Sequence, residues 1–583
     1  MSGKLRLVVL REIPEDEKLR LEWNALVERT DQPQVFYTYE WALAVQRAYA
    51  TVLHPLLCLG YDEQEVLCGV AALAADSANG TVSFLCATTG DYCDFLSASE
   101  QREDFVAAVV GELRRQNFVE VRFANLPADS ATVPLLRRAA RAQNYRRFSR
   151  TAYICAQVSL GSLQRRSENK PVLPRKKMLR RFLNAMGREA PVRLEHARCW
   201  QQAQAALPLF IEAHIARFLA TGRISNLVRT ERRLFLAELA KLLSERGWLA
   251  LTTFAAGDKV FAWNYGFQFL STWFWYQPTF DSDFEKYSPG FCLLAKLIEE
   301  AAEKPELQTV DLGLGAEEYK DRFANQSRET LHVTLTSSYR RHLGEVVRHY
   351  AAATVKLQPV LERAARSTFS RFRALGQRQQ NSGFVGTCSW AAKRMRSSVA
   401  GRDEVLFYEL TDPDPALLAL NGVALKTLNL NTLAVAAMQN EGDEGTLAYL
   451  LRCAQHLRNH RWSGFAMVDH AGVFLHFTWA GPFETFHWSE LDTTLESPLP
   501  DSVVLFDSWT PVSQRGRGYY APTIAMVAAR IRNEGKPSWG FSASTNTSSV
   551  RGLEKAGFTR RFSVIRHRVL WWQKVIQEKP SRA

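Results

Sequence analysis

Three stretches of the chain share one hydrophobic pattern. Residues 56–73 (LLCLGYDEQEVLCGVAAL), 249–269 (LALTTFAAGDKVFAWNYGFQF) and 464–481 (GFAMVDHAGVFLHFTWAG) each set two apolar, β-rich runs around a short polar turn. That arrangement predicts an antiparallel hairpin in each. The tips stand about 200 residues apart, a domain-scale repeat rather than a solenoid. Helix-periodic segments lie upstream, such as Arg232–Arg246 and Thr446–Asn459. After the last two hairpins come a further strand, a glycine-containing loop and another helix. The expected fold class is therefore α/β (α+β), with three related units of mixed, mostly antiparallel sheet flanked by helices.

Breaks in the pattern set the boundaries. Residues 161–192 are polar, proline-bearing and basic, including QRRSENKPVLPRKKMLRRF, and a second basic stretch fills 337–400. The expected units are 1–160, 161–336 and 401–583, with 337–400 as a basic helical linker. Within the linker Leu343, Val347, Tyr350, Leu357, Leu361, Ala364, Phe369, Phe372 and Leu375 recur near helical spacing, and Pro359 should kink the helix. Two readings stand: an interdomain helix packed on its neighbours, or a basic amphipathic element (340–379) resting on an anionic membrane. Residues 376–400 read as flexible linker.

Composition narrows the class. The 583 residues are 46% hydrophobic and 23% charged, ordinary for globular protein. No secretory signal or membrane-length apolar run is evident, and nine scattered cysteines form no CxxC pair. A cytoplasmic location with reduced thiols follows as the expectation, peripheral at the inner membrane face if 340–379 binds lipid. No metal is expected: His456 and His460 share helical spacing but lack the acid of an HExxH motif. The formal charge is +13, yet twelve Lys/Arg against Glu345 and Glu362 between Tyr339 and Arg396 supply ten of it. The rest is nearly balanced, so a nucleic-acid partner is not expected.

The segment DSWTPVSQRGRGYYAP (507–522) follows the strand-like Val503–Phe506 and precedes a helix-like run. Two glycines there permit positive φ and close approach, and the next helix offers unpaired N–H groups to an anion such as a pyrophosphate. About thirty residues on comes SASTNTSSVRGLEKAGF (542–558). Together these motifs, within roughly 405–575, resemble the GNAT (acetyl-CoA-dependent N-acetyltransferase) superfamily. The resemblance implies that Gln514, Arg515, Gly516, Arg517, Gly518 and Tyr519 cradle the pyrophosphate of acetyl-CoA or another acyl-CoA, and that Asn546 and Ser549 hold it from the other side. Strand 503–510 would pair with the pantetheine amide. Tyr520 stands where the family has Gly or Ala, and Leu553 where it has a tyrosine acid. Asp507 is the candidate catalytic base, with an ordinary structural carboxylate as the alternative.

The N-terminal half carries FYTYEW (36–41), DYCDF (91–95), His214, Arg217, Gly222 and Ser225, FDSDFEKYSPGFCLLAKLIEEA (280–301) and DLGLGAEEYKDRFA (311–324). Across about 5–335 these are similar to CelD-type acetyltransferases of cellulose and exopolysaccharide synthesis, a doubled GNAT fold related to the FemABX peptidyltransferases. Ser288-Pro289-Gly290 opens a helix at the phosphate-loop position. Tyr319, Lys320 and Arg322 stand beside Gly313 and Gly315, where they would either bind an anion or anchor the terminal strand. His214, Arg217, Ser288, Gly290, Tyr319 and Lys320 are thus the candidate substrate-binding residues. Asp91 and Asp94 read as acceptor contacts or as turn residues.

The function expected is an acyl-CoA-dependent acyltransferase. It would modify an amine or hydroxyl of a sugar or polysaccharide precursor, in association with polysaccharide-synthesis machinery. An aminoacyl-tRNA-dependent FemABX-like transferase and a scaffold with inactive units are the alternatives.

Overall fold

Each predicted hairpin forms where the alternation of apolar and turn residues puts it. The computed structural model describes residues 5–161, 176–315, 317–356, 400–569 and 572–578. In it the chain forms two compact units: residues 1–214 with 229–354 (unit 1), and residues 215–228 with 355–583 (unit 2). The architecture is mixed α/β, with large sheets flanked by helices, as expected.

Unit 1 is built on one 13-stranded sheet. The first repeat supplies β1 (Arg6–Leu10), β2 (Pro55–Tyr61), β3 (Leu67–Asp76), β4 (Thr81–Phe84), β5 (Leu96–Ser97), β6 (Glu120–Pro127) and β7 (Arg146–Ser159). The second supplies β8 (Val192–Ala197), β9 (Leu249–Ala256), β10 (Lys259–Phe269), β11 (Thr272–Phe280), β12 (Thr309–Asp311) and β13 (Gln326–Thr336). The order is β1-β2-β3-β4-β6-β13-β7-β12-β11-β10-β9-β8, with β5 paired to β3. Read from either edge, the two repeats mirror each other, except that their last strands are exchanged. β7 lies beside β12 and β13 beside β6, and the two pair antiparallel through eleven registered positions. The exchange covers edges that either repeat alone would expose. Each repeat has one parallel step, β4 to β6 and β11 to β12, and each lasts only three registered pairs.

Unit 2 repeats the plan in an eight-stranded sheet. Its strands are β14 (Ala400–Leu410), β15 (Val423–Thr427), β16 (Ser463–Asp469), β17 (Phe474–Pro482), β20 (Val503–Trp509), β21 (Ser538–Ala543), β22 (Phe558–Val569) and β23 (Trp572–Glu578). A small hairpin, β18 (His487–Trp488) and β19 (Thr493–Thr494), stands apart. The order is β15-β16-β17-β20-β21-β14-β22-β23. The β20–β21 step is parallel and ends after Val503↔Ser538 and Val504↔Trp539. Beyond Val504 the strands part, because β20 stays with β17 while β21 stays with β14.

The helix Tyr339–Lys356 realises the first part of the linker pattern; residues 357–399, including Pro359 and most of 376–400, lie outside the described residues. Its polar side faces the unit 1 sheet. Thr334 Oγ1 donates to Glu345 at 3.1 Å, and the His349 ring meets Phe148 edge-on at 5.4 Å. Its apolar stripe faces outward, with Tyr339, Leu343, Val347 and Tyr350 exposed by 62, 48, 56 and 64%. Among the described residues no helix is long and apolar enough to cross a membrane.

Candidate active sites

In unit 1 the two repeats meet at a cluster of buried charges. Asp311 ends β12 and is 2% exposed. Its Oδ2 accepts from the Tyr92 hydroxyl at 2.9 Å and from Gln157 Nε2 at 2.8 Å, and its Oδ1 from the Gly313 N–H at 2.8 Å. The turn that follows needs its glycine twice over. Gly313 has φ +71°, and a Cβ there would lie 2.5 Å from Asp91 Oδ2. Lys320 closes the turn: its buried ammonium donates to the Leu314 carbonyl at 2.8 Å and pairs with Glu317 at 2.7 Å. A second chain of hydrogen bonds crosses to the first repeat: Arg232 donates to the Tyr276 hydroxyl at 2.7 Å, which donates to the Thr89 carbonyl at 2.5 Å.

Asp91, partly exposed, is held by no side-chain hydrogen bond. Burial first, and then the neighbouring Asp311 charge, push its carboxyl up to about 7. The cations of Lys320 and Arg232 and the Leu314 N–H oppose that rise without cancelling it. The result is a carboxylate that changes charge at neutral pH beside a fixed buried ammonium, a pattern of functional sites.

Of the residues singled out in the sequence of this unit, Lys320 joins the cluster. Tyr319 accepts from Trp275 Nε1 at 3.3 Å, and Phe323 packs on Phe291 with ring centroids 4.8 Å apart, so these two anchor the terminal segment. Asp94 is the turn residue of the pair 91/94: it accepts from Ser130 Oγ at 2.5 Å and the Phe95 N–H at 2.7 Å. His214 is buried inside the helix Trp200–Ala220, its Nε2 3.1 Å from Gln277 Nε2. Arg217 lies in the segment 215–228 assigned to unit 2. Ser288 (φ +47°) is exposed and precedes the helix Pro289–Ala302, whose first turn carries no side-chain cap; Gly290 is its second residue. Asp311, Gln157, Arg232 and Tyr276 are members that sequence reading missed. The available signal was an aspartate two residues before the first glycine of a Gly-x-Gly turn.

In unit 2 the parting of β20 and β21 opens a cleft of about 400 Å³. Asp507, Ser508 and Thr510 line it from β20 and the following turn, Ser542 and Ala543 from β21, and Tyr520 and Ser549 from the starts of two helices. The glycine loop lies at one end of the helix Tyr520–Asn533, which has no side-chain cap. Gly516 (φ +77°) and Gly518 (φ +80°) take the left-handed conformation, with open space where a Cβ would be. The backbone of 515–518 is therefore exposed and free of packing, the form an anion cradle requires. Arg515 folds back: its Nε donates to the Thr510 carbonyl at 3.1 Å and its guanidinium lies 5.1 Å from the Trp509 ring centroid. Arg517 is exposed, Gln514 Oε1 is buried without a partner, and Tyr519 stands before the helix. Asn546 caps the helix Thr547–Lys555, its Oδ1 accepting from the Ser549 N–H at 3.2 Å and Ser548 Oγ at 2.8 Å. Tyr520 reaches across to Ser549, hydroxyl to hydroxyl at 3.2 Å.

Asp507 sits at φ +45°, in the left-handed region unusual for a non-glycine residue. Its carboxylate is fully engaged: Arg452 grips both oxygens at 2.9 and 3.0 Å, and His456 Nε2 lies 2.9 Å from Oδ2. Burial raises its pKa, but the bonds from His456 and Arg452 outweigh that and hold it below the ordinary carboxylate value. A carboxylate so stabilised is a poor proton acceptor. Leu553 is 1% exposed and packs on Gly540, whose added Cβ would lie 2.4 Å from Leu553 Cδ2. Among the described residues no group of three His, Cys, Asp or Glu is placed to hold a metal.

Comparison with known proteins locates one family match. Residues 174–321 match the model of an acetyltransferase (GNAT) domain. No curated protein matches the sequence significantly. Solved structures of similar outline include FemX, at 9% identity over 56% of this chain and 98% of that one, with a TM-score of 0.40. Others are L-PGS from Bacillus licheniformis (11%, 58% and 98%, 0.39) and a tandem GNAT protein from the clavulanic acid biosynthesis pathway (12%, 57% and 98%, 0.35). Likenesses this distant say nothing of donor or acceptor. The matched segment takes in β8 to β12 of the second repeat, including Asp311 and Lys320, and the chain thus carries a GNAT-superfamily transferase domain.

Proposed function

We propose that the chain transfers an acyl group from an acyl-CoA to an amine or hydroxyl of a sugar or polysaccharide precursor, with Asp91 as proton acceptor. The observation that carries this reading is Asp91 itself, a carboxyl poised at about 7 next to the matched GNAT domain. A GNAT domain implies an acyl-CoA co-substrate. The sugar acceptor rests on the CelD-type motifs of the N-terminal half. At neutral pH about half of Asp91 is ionised and able to take the acceptor's proton as the new bond to the acyl carbon forms and the carbon–sulfur bond breaks. Lys320 does not touch the proton; it fixes the 311–320 turn and supplies positive charge that keeps Asp91 from rising further. The uncapped start of Pro289–Ala302 suits a phosphate of the donor in unit 1. The open backbone of 514–519, with Asn546 and Ser549 opposite, suits one in unit 2.

The test is thiol release from acetyl-CoA by the full chain, with glucosamine and other amino- and hydroxyl-bearing sugars as acceptors. Acceptor-dependent release that falls on Asp91→Asn supports the reading. No release with any acceptor, or release indifferent to Asp91→Asn, contradicts it.

The outward apolar stripe of Tyr339–Lys356, flanked by Arg340, Arg341 and Arg348, favours peripheral contact with an anionic membrane through 340–379. Vesicle flotation tests it. The chain should float with phosphatidylglycerol vesicles, and a Leu343→Asp, Val347→Asp variant should stay behind; equal flotation of both would dispose of the contact.

A further inference from the structure

The motif FYTYEW (36–41) takes no part in the cluster around Asp91, yet the fold sets it beside the end of DYCDF (91–95). A short 3-10 helix, Val35–Tyr37, brings Tyr37 to the wall of a pocket of about 40 Å³ in the first repeat. Asp31, Asp129 and Ala131 line the same pocket and are exposed, so it opens to solvent. Tyr37 is 8% exposed, and its hydroxyl makes no hydrogen bond among the described residues. On its other side Tyr37 borders a mostly apolar space lined by Trp23, Phe36 and Phe84. Burial pushes the phenol well above its ordinary pKa, so the O–H stays protonated and able to donate. Gln32 leaves a second group open: its Nε2 donates to Asp129 Oδ2 at 2.8 Å, while its Oε1 is buried without a partner. The charged groups of the pocket are matched to one another. Arg102 pairs with Asp31 at 2.6 Å and Arg328 with Asp129 at 3.1 Å, while Asp94 accepts from Ser130 Oγ and the Phe95 N–H. What remains open is one donor and one acceptor, in a space that admits about two or three water-sized groups.

We propose that this pocket is the subsite for a sugar unit of the acceptor and takes two neighbouring hydroxyls of its ring, one accepting from the Tyr37 O–H and the other donating to Gln32 Oε1. This rests on reading the acceptor as a sugar, and it gives that sugar a place. A vicinal diol is a neutral group that presents a donor and an acceptor side by side. An anion here would meet the carboxylates of Asp31, Asp94 and Asp129, and an ammonium group would meet the two guanidinium groups; a diol avoids both costs. Tyr37 and Gln32 act in recognition and move no proton of the reaction. The pocket is also tied to the Asp91 cluster. The Arg328 guanidinium lies 5.0 Å from the centre of the Tyr92 ring, and the Tyr92 hydroxyl donates to Asp311, the charge that helps raise Asp91. Asp94 follows Asp91 by three residues. A sugar seated at Tyr37 is thus held in the neighbourhood of the proposed proton acceptor. The exchange of strands makes this possible: Arg328 comes from β13 of the second repeat and Asp129 from the first, so neither repeat builds the pocket alone.

The experiment titrates the full chain with glucose and with glucosamine by saturation-transfer NMR, in the absence of any acyl-CoA. It compares the unaltered protein with Tyr37→Phe, which removes only the hydroxyl, and with Gln32→Leu. The expected result is that both sugars bind and that each substitution weakens them by about 2- to 10-fold, the effect of one lost hydrogen bond. In the thiol-release assay the same variants should raise KM for the sugar by that factor and leave kcat within about two-fold. Gln32 is only half-buried, so Gln32→Leu decides the matter if Tyr37→Phe does not fold. Equal sugar affinity in all three proteins would overturn the proposal, as would the absence of sugar binding to the unaltered chain. Binding of inorganic phosphate that Tyr37→Phe abolishes would overturn it too, by making the pocket an anion site. Failure of the acyl-transfer reading looks different: no thiol would be released, although sugar binding remained and remained sensitive to Tyr37→Phe.

Discussion

Two aspartates, one in each unit, show how the same side chain is assigned opposite work. Burial and the negative Asp311 act together on Asp91, and the opposing Lys320 and Arg232 cations do not cancel them, so its carboxyl rises to about 7. Asp507 is also buried, but Arg452 grips it with two hydrogen bonds and His456 adds a third, and its pKa falls. Burial acts upward on both, so the partners decide the sign. Asp91 is thus suited to moving a proton and Asp507 to holding β20 against the helix Glu444–His456. The lesson for unit 2 is that Asp507 belongs to its framework and is not a proton acceptor.

The largest expected effect of breaking this contrast is on rate. Asp91→Asn should lower the unit 1 reaction by about 100- to 10,000-fold with little change in KM for the acceptor, measured by thiol release under saturating donor. Asp507→Asn should instead act on stability. It should cost about 1–3 kcal/mol in urea unfolding and leave the chemistry of unit 1 untouched, because it strands Arg452 rather than removing a base. Restoring the family's tyrosine with Leu553→Tyr should destabilise unit 2 by about 1–3 kcal/mol without raising turnover, since Gly540 leaves no room for a ring.

The smallest effect is the pH dependence of stability, and here the two aspartates should differ in sign. Asp91 has a folded pKa above its unfolded value. It therefore favours the folded state at low pH, and that contribution is lost as pH rises from about 4 to about 7. Asp507 has a folded pKa below its unfolded value. Its contribution is present above about pH 4 and is lost as pH falls through the lower folded value. Melting temperatures of each Asp→Asn variant, compared with the unaltered chain across pH 3–8, would show opposite trends; parallel trends would erase the contrast.

Much of the scaffold was legible because it is local. The three hairpins and the glycine loop are written in contiguous residues, where alternation and turn chemistry act over a few positions. The exchange of β7 and β13 was not, because both strands carry the same edge-compatible pattern and only the assembled sheet selects their neighbours. The sites failed for a related reason. Tyr92 meets Asp311 across 219 residues and Asp507 meets Arg452 across 55, so neither aspartate's charge state can be read from its own motif. In sequence Asp507 is an aspartate at the end of an apolar strand, an open invitation to call it a base.

The most direct test of the contrast is an infrared titration of the full chain, comparing the unaltered protein with Asp91→Asn and with Asp507→Asn. The protonated-carboxyl band lost in the first difference spectrum should titrate with a midpoint near pH 7, and that lost in the second should titrate below the ordinary aspartate range. Two ordinary midpoints near pH 4 would contradict the account, since both aspartates would then be surface-like carboxylates and neither environment would be setting a role.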